Sequence, residues 1–273
     1  KIEKNTVQET LIIPLYARKV CSELYPNLYR DETAVRLIDE IDYDFSEAEK
    51  NSRGLMQRFG SLEVAVRQND LAFEVRDYLK SHPNAAVVNL GCGLDSTGRS
   101  CDNGSCKIYN LDFPDVIAVR NELLPAGERE ENIPCDLNNT EWFGKIDSSN
   151  GAVFFASGVF YYFLTEQVKA LVQGMADAFP GGVLVFDAAN RTAVKMIAKT
   201  WLKSAKIQDV GAYFAVSDAP QEISAWDSRL QVTSRGYMLG YTDLKDPSVS
   251  GFFRFLAKIG DGMMKMQIVK INF

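Results

Sequence analysis

The chain has 273 residues, a formal net charge of −6 from 36 acidic and 30 basic side chains, five cysteines and one histidine. This length accommodates one large or two small domains, and an apolar content of 46% supplies a substantial core. The single histidine excludes HExxH zinc enzymes and other sites that need several imidazoles. The acidic balance, with a pI near 5.0, disfavours binding to nucleic acid or to an anionic membrane.

The cysteines and the histidine do not indicate a metal site. Cys101 and Cys106 bracket a polar turn and could form a small disulfide loop or half of a metal site, but without a second pair we expect ordinary loop thiols and no metal. His82 precedes Pro83 in a predicted turn, so we expect a solvated loop residue rather than a catalytic base. Reduced thiols, the lack of a long apolar run and a start unlike a signal peptide predict a soluble, cytoplasmic protein.

The first part of the chain, residues 1–60, is predicted to form an N-terminal helical cover, because segments 10–24 and 32–41 have helical patterns and many charges. Residues 61–273 form the second predicted unit. It begins with a helix over 62–79 that ends before His82, where the apolar spacing stops. An amphipathic stretch in the region 191–230 predicts a lid inserted into this unit.

Short apolar runs alternate with helical patterns over the rest of the chain. The run 85–90 is apolar on both faces, as a buried parallel strand is. Further strands are predicted at 107–112, 131–137, 151–157 and 182–187, with a helix over 168–179 and an alternating final strand at 265–273. The expected fold class is therefore α/β, with a doubly wound parallel sheet.

A glycine turn follows the first predicted strand. Gly91 and Gly93 permit a tight turn and the close approach of a nucleotide-like ligand. Ser96 replaces the third glycine of the dinucleotide fingerprint, and Asp95 is expected to oppose a pyrophosphate, which favours a ligand without phosphates. Asp112, 19 positions beyond Gly93, is suited to accept hydrogen bonds from ribose hydroxyls, or alternatively to cap a helix over 114–124.

Five segments resemble, in the correct order, the motifs of the leucine carboxyl methyltransferase family, in its bacterial branch of polyketide O-methyltransferases. They are ETLIIPLYAR (9–18), VVNLGCGLDS (87–96), LDFPDVI (111–117), CDL (135–137) and SGVFYYF (157–163). The resemblance covers most of the chain. It implies a class I methyltransferase sheet of seven strands whose last strand is antiparallel, with S-adenosylmethionine as the cofactor.

The resemblance also implies roles for particular residues. Arg67 matches an arginine that pairs with the carboxylate of the cofactor, a task for which a guanidinium is apt because it forms charge-assisted hydrogen bonds to carboxylates. Alternatively, Arg67 is a solvated arginine on the surface of the helix. Gly91 and Gly93 would line the methionine part, and Asp112 would bind the ribose.

The two later motifs imply further contacts. Asp136 and the backbone of Leu137 would bind the adenine, although Asp136 could instead cap a turn over 138–142. Ser157 stands where the family usually has a glutamate, so it can hydrogen-bond but cannot offset the sulfonium charge. Tyr162, in an aromatic run that core packing could also explain, matches a tyrosine beside the active site and is predicted to contact the substrate.

These observations predict an S-adenosylmethionine-dependent O-methyltransferase acting on a small-molecule carboxylate or phenolic hydroxyl, polyketide-like in character. A carboxylate nucleophile needs no base, whereas a phenol would need help from Tyr162 or from an acidic side chain in the lid. Two alternatives stay open: a noncatalytic S-adenosylmethionine-binding or regulatory protein, motivated by Ser157, and an NAD(P)-dependent oxidoreductase. The acceptor's identity and the oligomeric state do not follow from the sequence.

Overall fold

A computed structural model describes residues 7–201 and 213–273 of the chain. Its centre is a seven-stranded sheet with the order β3-β2-β1-β4-β5-β7-β6. The strands are β1 (Ala86–Leu90), β2 (Lys107–Asp112), β3 (Glu130–Pro134), β4 (Ala152–Ala156), β5 (Val183–Ala188), β6 (Gln231–Gly236) and β7 (Gln267–Asn272). Strands β1 to β5 are parallel, and β7 is antiparallel to both of its neighbours. The predicted α/β fold with an antiparallel last strand is confirmed.

Ten α-helices are described. They are α1 (Val7–Leu24), α2 (Glu32–Glu40), α3 (Ser46–Ser52), α4 (Leu55–Ser81), α5 (Thr97–Ser100), α6 (Pro114–Leu123), α7 (Thr165–Ala178), α8 (Arg191–Trp201), α9 (Ala219–Ser224) and α10 (Gly251–Gly262). No helix within the described ranges is both long and apolar enough to cross a bilayer.

Alternate residues of β1 explain why this strand is buried along its whole length and apolar except for Asn89. Val88 packs into a cluster with α7, whereas Val87 packs into a second cluster with α4. Successive side chains of a strand point to opposite faces, so α4 and α7 cover opposite faces of the sheet. Burial on both faces favours apolar residues along β1. The carboxyl ends of β1, β2, β4 and β5 lie together at one edge of the sheet.

Two boundaries differ from the sequence expectation. Helix α4 starts at Leu55 instead of residue 62, so the predicted division at residue 60 lies inside a continuous helix. Strand β3 ends at Pro134, three residues earlier than predicted. The Cys135 amide still donates to the Asp112 carbonyl of β2, and the chain leaves the sheet at Asp136, where a hydrogen-bonded turn begins.

The predicted lid region is partly described. Helices α8 and α9 lie in it, while residues 202–212 are outside the described residues. Phe214, Ala219 and Ile223 are buried in the main core cluster together with residues of β4 and α7. This later part of the region therefore completes the core on that face of the sheet.

Candidate active site

The glycine turn at the carboxyl end of β1 needs glycine for both its backbone and its space. Gly91 and Gly93 have φ of +68° and +46°, in the left-handed region that side chains disfavour. The amides of Gly91 and Cys92 both donate to the Leu111 carbonyl, at 2.8 and 2.9 Å. A Cβ on Gly91 would lie 2.6 Å from Val159 Cγ2, so the turn lies directly against the segment that follows β4.

Asp112 closes this turn from the end of β2. Its Oδ2 accepts a hydrogen bond from the Gly93 amide at 2.8 Å, and its Oδ1 accepts one from the Phe113 amide at 2.8 Å. Burial raises the pKa of Asp112, although both backbone donors act in the opposite direction. Phe113 is the N-cap of α6 and its side chain makes no cap hydrogen bond, so Asp112 is bound both to the glycine turn and to the backbone at the start of α6. Each carboxylate oxygen retains a lone pair for another donor.

Asp95 does not face a ligand. Its buried carboxylate accepts hydrogen bonds from Asn89 Nδ2 at 3.0 Å and from the Thr97 amide and hydroxyl at 3.1 and 2.7 Å. The expectation that Asp95 opposes a pyrophosphate stays a prediction: its side chain turns inward, where it forms an Asx turn leading into α5. The sequence locates a residue in a turn but not the direction of its side chain.

Arg67 reaches the same edge of the sheet from α4. Its side chain is 15% exposed, and its Nη1 lies 3.2 Å from Asp187 Oδ2. Burial is the largest single effect and lowers the pKa of Arg67, but Asp187, Tyr237 and Tyr161 together raise it above its ordinary value. The Nε atom is buried and has no hydrogen-bond partner in the described part of the chain. The alternative of a solvated helix arginine is wrong.

Asp187, at the end of β5, is a site residue that the sequence reading missed. Its Oδ1 accepts a hydrogen bond from the Gly158 amide at 2.7 Å, and burial together with the nearby Asp187 charge raises the pKa of the Tyr161 hydroxyl. The available signal was an acidic residue that ends a wholly apolar predicted strand. Its partner Arg67 lies 120 residues earlier, a distance that local pattern cannot bridge.

The motif after β4 lies between Arg67 and the glycine turn. Gly158 has a φ of +66°, and a Cβ there would lie 2.8 Å from Arg67 Nη1. The Ser157 hydroxyl donates to Gln68 Oε1 at 2.6 Å, so it is bound by α4. The only carboxylate bonded within this Ser-Gly segment, among the described residues, is that of Asp187.

The adenine-binding candidates lie in the turn after β3. Asp136 Oδ1 accepts hydrogen bonds from the backbone and side-chain nitrogens of Asn138, at 2.9 and 3.2 Å. Leu137 is buried, and its carbonyl accepts from Trp142 Nε1 at 3.2 Å. Asp136 thus organises the start of the 138–142 turn, as the alternative expected, while Asn139 caps the following 3₁₀ helix (Thr140–Lys145). Binding of adenine by Asp136 and Leu137 stays a prediction.

Tyr162 is the exposed member of the aromatic run. It ends the 3₁₀ turn Phe160–Tyr162 and is 47% exposed, whereas Phe160 and Tyr161 are buried. Burial raises the pKa of Tyr162, with an opposing effect of Arg67. Packing thus explains Phe160, while Tyr162 keeps a surface that a ligand can contact.

The histidine lies outside this arrangement, whereas Cys92 is the middle residue of the glycine turn and is buried. His82 stacks on Tyr78, with ring centroids 4.2 Å apart, at the C-terminal end of α4, whereas Arg67 lies near the middle of this helix. All five cysteines are free thiols. In residues 7–201 and 213–273, no group of three or more His, Cys, Asp or Glu side chains is arranged to hold a metal ion.

The sheet order, with glycine turn, acidic β2 end and antiparallel β7, defines the class I methyltransferase fold. Within this class the chain belongs to the leucine carboxyl methyltransferase family, whose family model matches residues 13–176, more than half of the chain. This confirms the resemblance read from the five motifs. The family relates the chain to S-adenosylmethionine-dependent methyltransferases.

Known relatives agree with this assignment. The tetracenomycin polyketide synthesis O-methyltransferase TcmP of Streptomyces glaucescens is 28% identical over 183 residues, which cover 67% of this chain. The match spans just under two thirds, 66%, of that relative's length.

Two solved structures share the fold. A DUF574 family protein from Streptomyces avermitilis has a TM-score of 0.58 at 11% identity, with 93% of this chain and 96% of that one covered. The plantazolicin methyltransferase BamL, solved with a triazolic desmethylPZN analog and S-adenosylhomocysteine, has a TM-score of 0.52 at 12% identity, with 98% and 99% covered.

Proposed function

We propose that the chain is an S-adenosylmethionine-dependent O-methyltransferase whose acceptor is a carboxylate or phenolic hydroxyl of a small, polyketide-like molecule. The observation that carries the proposal is the glycine turn, closed by Asp112, at the edge where the buried Arg67 leaves its Nε unpartnered. The polyketide-like character rests on the 28% identity to TcmP. Free thiols support a cytoplasmic location, and the net charge of −6 argues against a nucleic-acid partner.

The residues at this edge fit the chemical parts of the cofactor. The Arg67 Nε would donate a hydrogen bond to the carboxylate of the cofactor. This bond would also give a partner to Nε, a buried donor that is otherwise unpaired among the described residues. Asp112 would accept from the ribose hydroxyls, Gly91 and Gly93 would line the methionine part, and Asp136 with Leu137 would bind the adenine. When bound, the cofactor supplies a methyl group on a positively charged sulfur.

The chain's contribution to methyl transfer is positioning and exclusion of water, because the acceptor oxygen needs alignment more than activation. Tyr162 borders the site and keeps its proton, since burial raises its pKa. It would therefore donate a hydrogen bond to the acceptor and would not act as a base.

Glu63 supplies a way to distinguish the two acceptor classes. It lies one helical turn before Arg67 on α4, and burial raises its pKa to about 7 although Arg67 acts in the opposite direction. A phenol must lose a proton, and an acid with a pKa near the working pH suits that task. A carboxylate acceptor needs no such group.

We therefore predict that Glu63→Gln lowers kcat/KM for a phenol and leaves it unchanged for a carboxylate. For a phenol, kcat/KM should rise with pH through about 7 in the unaltered protein, and the substitution should lower it by about 10²–10⁴-fold, the usual contribution of a general base. For a carboxylate, the substitution should leave kcat/KM unchanged. Initial rates across pH check this, and a phenol turned over equally by both proteins contradicts the role of Glu63.

The proposed function itself is tested by calorimetry with S-adenosylmethionine, S-adenosylhomocysteine and NADH, followed by a radiolabelled methyl-transfer assay over a panel of acids and phenols. We expect binding of the first two ligands and transfer to at least one acceptor. Binding of NADH with none of the methyl donor would instead support the oxidoreductase. Cofactor binding without turnover on any acceptor would support the noncatalytic alternative.

A further inference from the structure

Asp187 collects donors from two separate parts of the site. The Gly158 amide donates to Oδ1 at 2.7 Å, and Arg67 Nη1 donates to Oδ2 at 3.2 Å. Only 2% of Asp187 is exposed. Since these partners occupy a nearly inaccessible carboxylate, Asp187 is placed to act on a ligand through Arg67 and not by direct contact.

We infer that Asp187 is a positioning residue that holds the Arg67 guanidinium for the carboxylate at the amino-acid end of the cofactor. The inference rests on the proposed function. A guanidinium on a long side chain loses rotamer freedom when it binds an anion, and a fixed partner reduces that loss. Asp187 occupies Nη1 and leaves Nε free, so it fixes the group without using all its donors.

Gly158 provides the space in which the Arg67 guanidinium lies. A Cβ at this position would lie 2.8 Å from Arg67 Nη1, closer than non-bonded atoms approach. The guanidinium thus lies against a backbone without a side chain, while the amide of the same residue fixes Asp187. Helix α4, the turn after β4 and the end of β5 are joined at this one point.

The test compares two ligands that differ only in the part Arg67 is inferred to bind. S-adenosylhomocysteine carries the amino-acid end, whereas 5′-methylthioadenosine keeps the adenosine and sulfur and lacks that end. Asp187→Asn should weaken S-adenosylhomocysteine binding by about tenfold or more, because the charge-assisted bond that fixes Arg67 is lost. Binding of 5′-methylthioadenosine should be unchanged.

The matched control is Asp177→Asn, which removes an exposed carboxylate bonded to Arg229 at 2.7 Å and should alter neither affinity. Gly158→Ala tests the position of the Arg67 guanidinium without changing any charge. It should likewise weaken the binding of S-adenosylhomocysteine and leave that of 5′-methylthioadenosine unchanged. This second variant decides the matter if Asp187→Asn does not fold.

The outcomes separate this inference from the proposed function. Equal losses for both ligands, or an unchanged ratio of the two affinities, would overturn the positioning role of Asp187 while the cofactor assignment stands. If the unaltered protein binds no S-adenosylhomocysteine, the proposed function fails, and the role of Asp187 fails with it.

Discussion

Asp70 on α4 is a buried acid without a counterion in the described part of the chain. It is 2% exposed, and its Oδ2 has no hydrogen-bond partner among the described residues. Burial, with repulsion from Asp261 and Glu74, raises the pKa of Asp70 from 3.8 to about 9. Because the folded chain holds this proton more tightly than the unfolded chain, Asp70 makes stability fall as pH rises from about 4 to about 9.

Asp70→Asn should remove most of this pH dependence, because an amide stays neutral over the whole range. We expect the free energy of unfolding at pH 8 to rise by about 1–3 kcal/mol, with little change at acidic pH. Urea unfolding at several pH values measures this. Asp77→Asn, at an exposed position of the same helix, is the control and should leave the pH profile as it is. Parallel profiles for Asp70→Asn and the unaltered protein would show that Asp70 is ionised when folded.

Arg67 and Asp112 are predicted to bind opposite ends of the cofactor. Arg67→Ala and Asp112→Ala should each weaken S-adenosylmethionine binding by about 1–3 kcal/mol, the usual result of losing a hydrogen bond to a charged group. Calorimetry on folded variants checks both. Arg76→Ala, which removes an exposed arginine of α4 bonded to the Ser100 carbonyl, should have no effect on binding. Unchanged dissociation constants in the two site variants contradict their assignments.

At the scale of elements, the turn after β1 and the segment after β4 form one packed unit. A Cβ on Gly91 would meet Val159 Cγ2 at 2.6 Å, and the φ of +68° adds backbone strain. Gly91→Ala should therefore cost about 1–3 kcal/mol of stability and weaken cofactor binding.

A double variant separates strain from steric contact at Gly91. Val159→Ala alone removes side-chain atoms, and in combination it should recover the steric part of the Gly91→Ala penalty and leave the strain. Urea unfolding of the two single variants and the double variant gives the interaction energy. Purely additive losses would show that the contact between residues 91 and 159 carries no energy.

Burial decides which elements were predictable from the sequence. Strands β1, β4 and β5 are buried along their whole length, so their apolar runs marked them. Strand β6 has the sequence QVTSRG and is mostly exposed at the sheet edge, which leaves no apolar alternation to detect. Helix α10 was not predicted from the sequence, although it packs Phe253 and Ala257 into the core.

The site was predictable where the motif fixes the backbone. Gly91, Gly93 and Asp112 lie together because a turn and the next parallel strand must meet at one sheet edge. The inward direction of Asp95 and the pairing of Arg67 with Asp187 depend on side-chain orientation and on tertiary contact. Neither leaves a local pattern in the sequence.

At the scale of the whole molecule, the N-terminal helices are joined to the glycine turn. Arg18 of α1 is 4% exposed; its Nε bonds Asp31 Oδ2 at 3.0 Å and its Nη2 bonds the Leu94 carbonyl at 3.3 Å. Leu11 Cδ2 would lie 3.4 Å from a Cβ on Gly93. The first helix thus forms part of the wall of the proposed site, and its ion pair links that wall to the turn after β1.

Arg18→Met should therefore lower both the free energy of unfolding and the extra stability that bound S-adenosylhomocysteine gives to the fold. Loss of one partner of a buried ion pair leaves Asp31 uncompensated and costs about 3–5 kcal/mol. The stabilisation that S-adenosylhomocysteine gives to the fold should also shrink, because ligand stabilisation depends on affinity and the turn at Leu94 loses a fixing bond. Unfolding by urea with and without the ligand measures both effects.

The control for Arg18→Met is Arg36→Ala, which breaks the half-exposed Arg36–Glu40 pair on α2 and should change stability by less than about 1 kcal/mol. The comparison decides what the N-terminal helices do. If Arg18→Met loses stability but keeps the full response to S-adenosylhomocysteine, these helices support the fold without shaping the site. A loss of both, absent in the control, means that the site includes the N-terminal helices as a structural part, because the same contact then sets the stability of the fold and the affinity for the ligand.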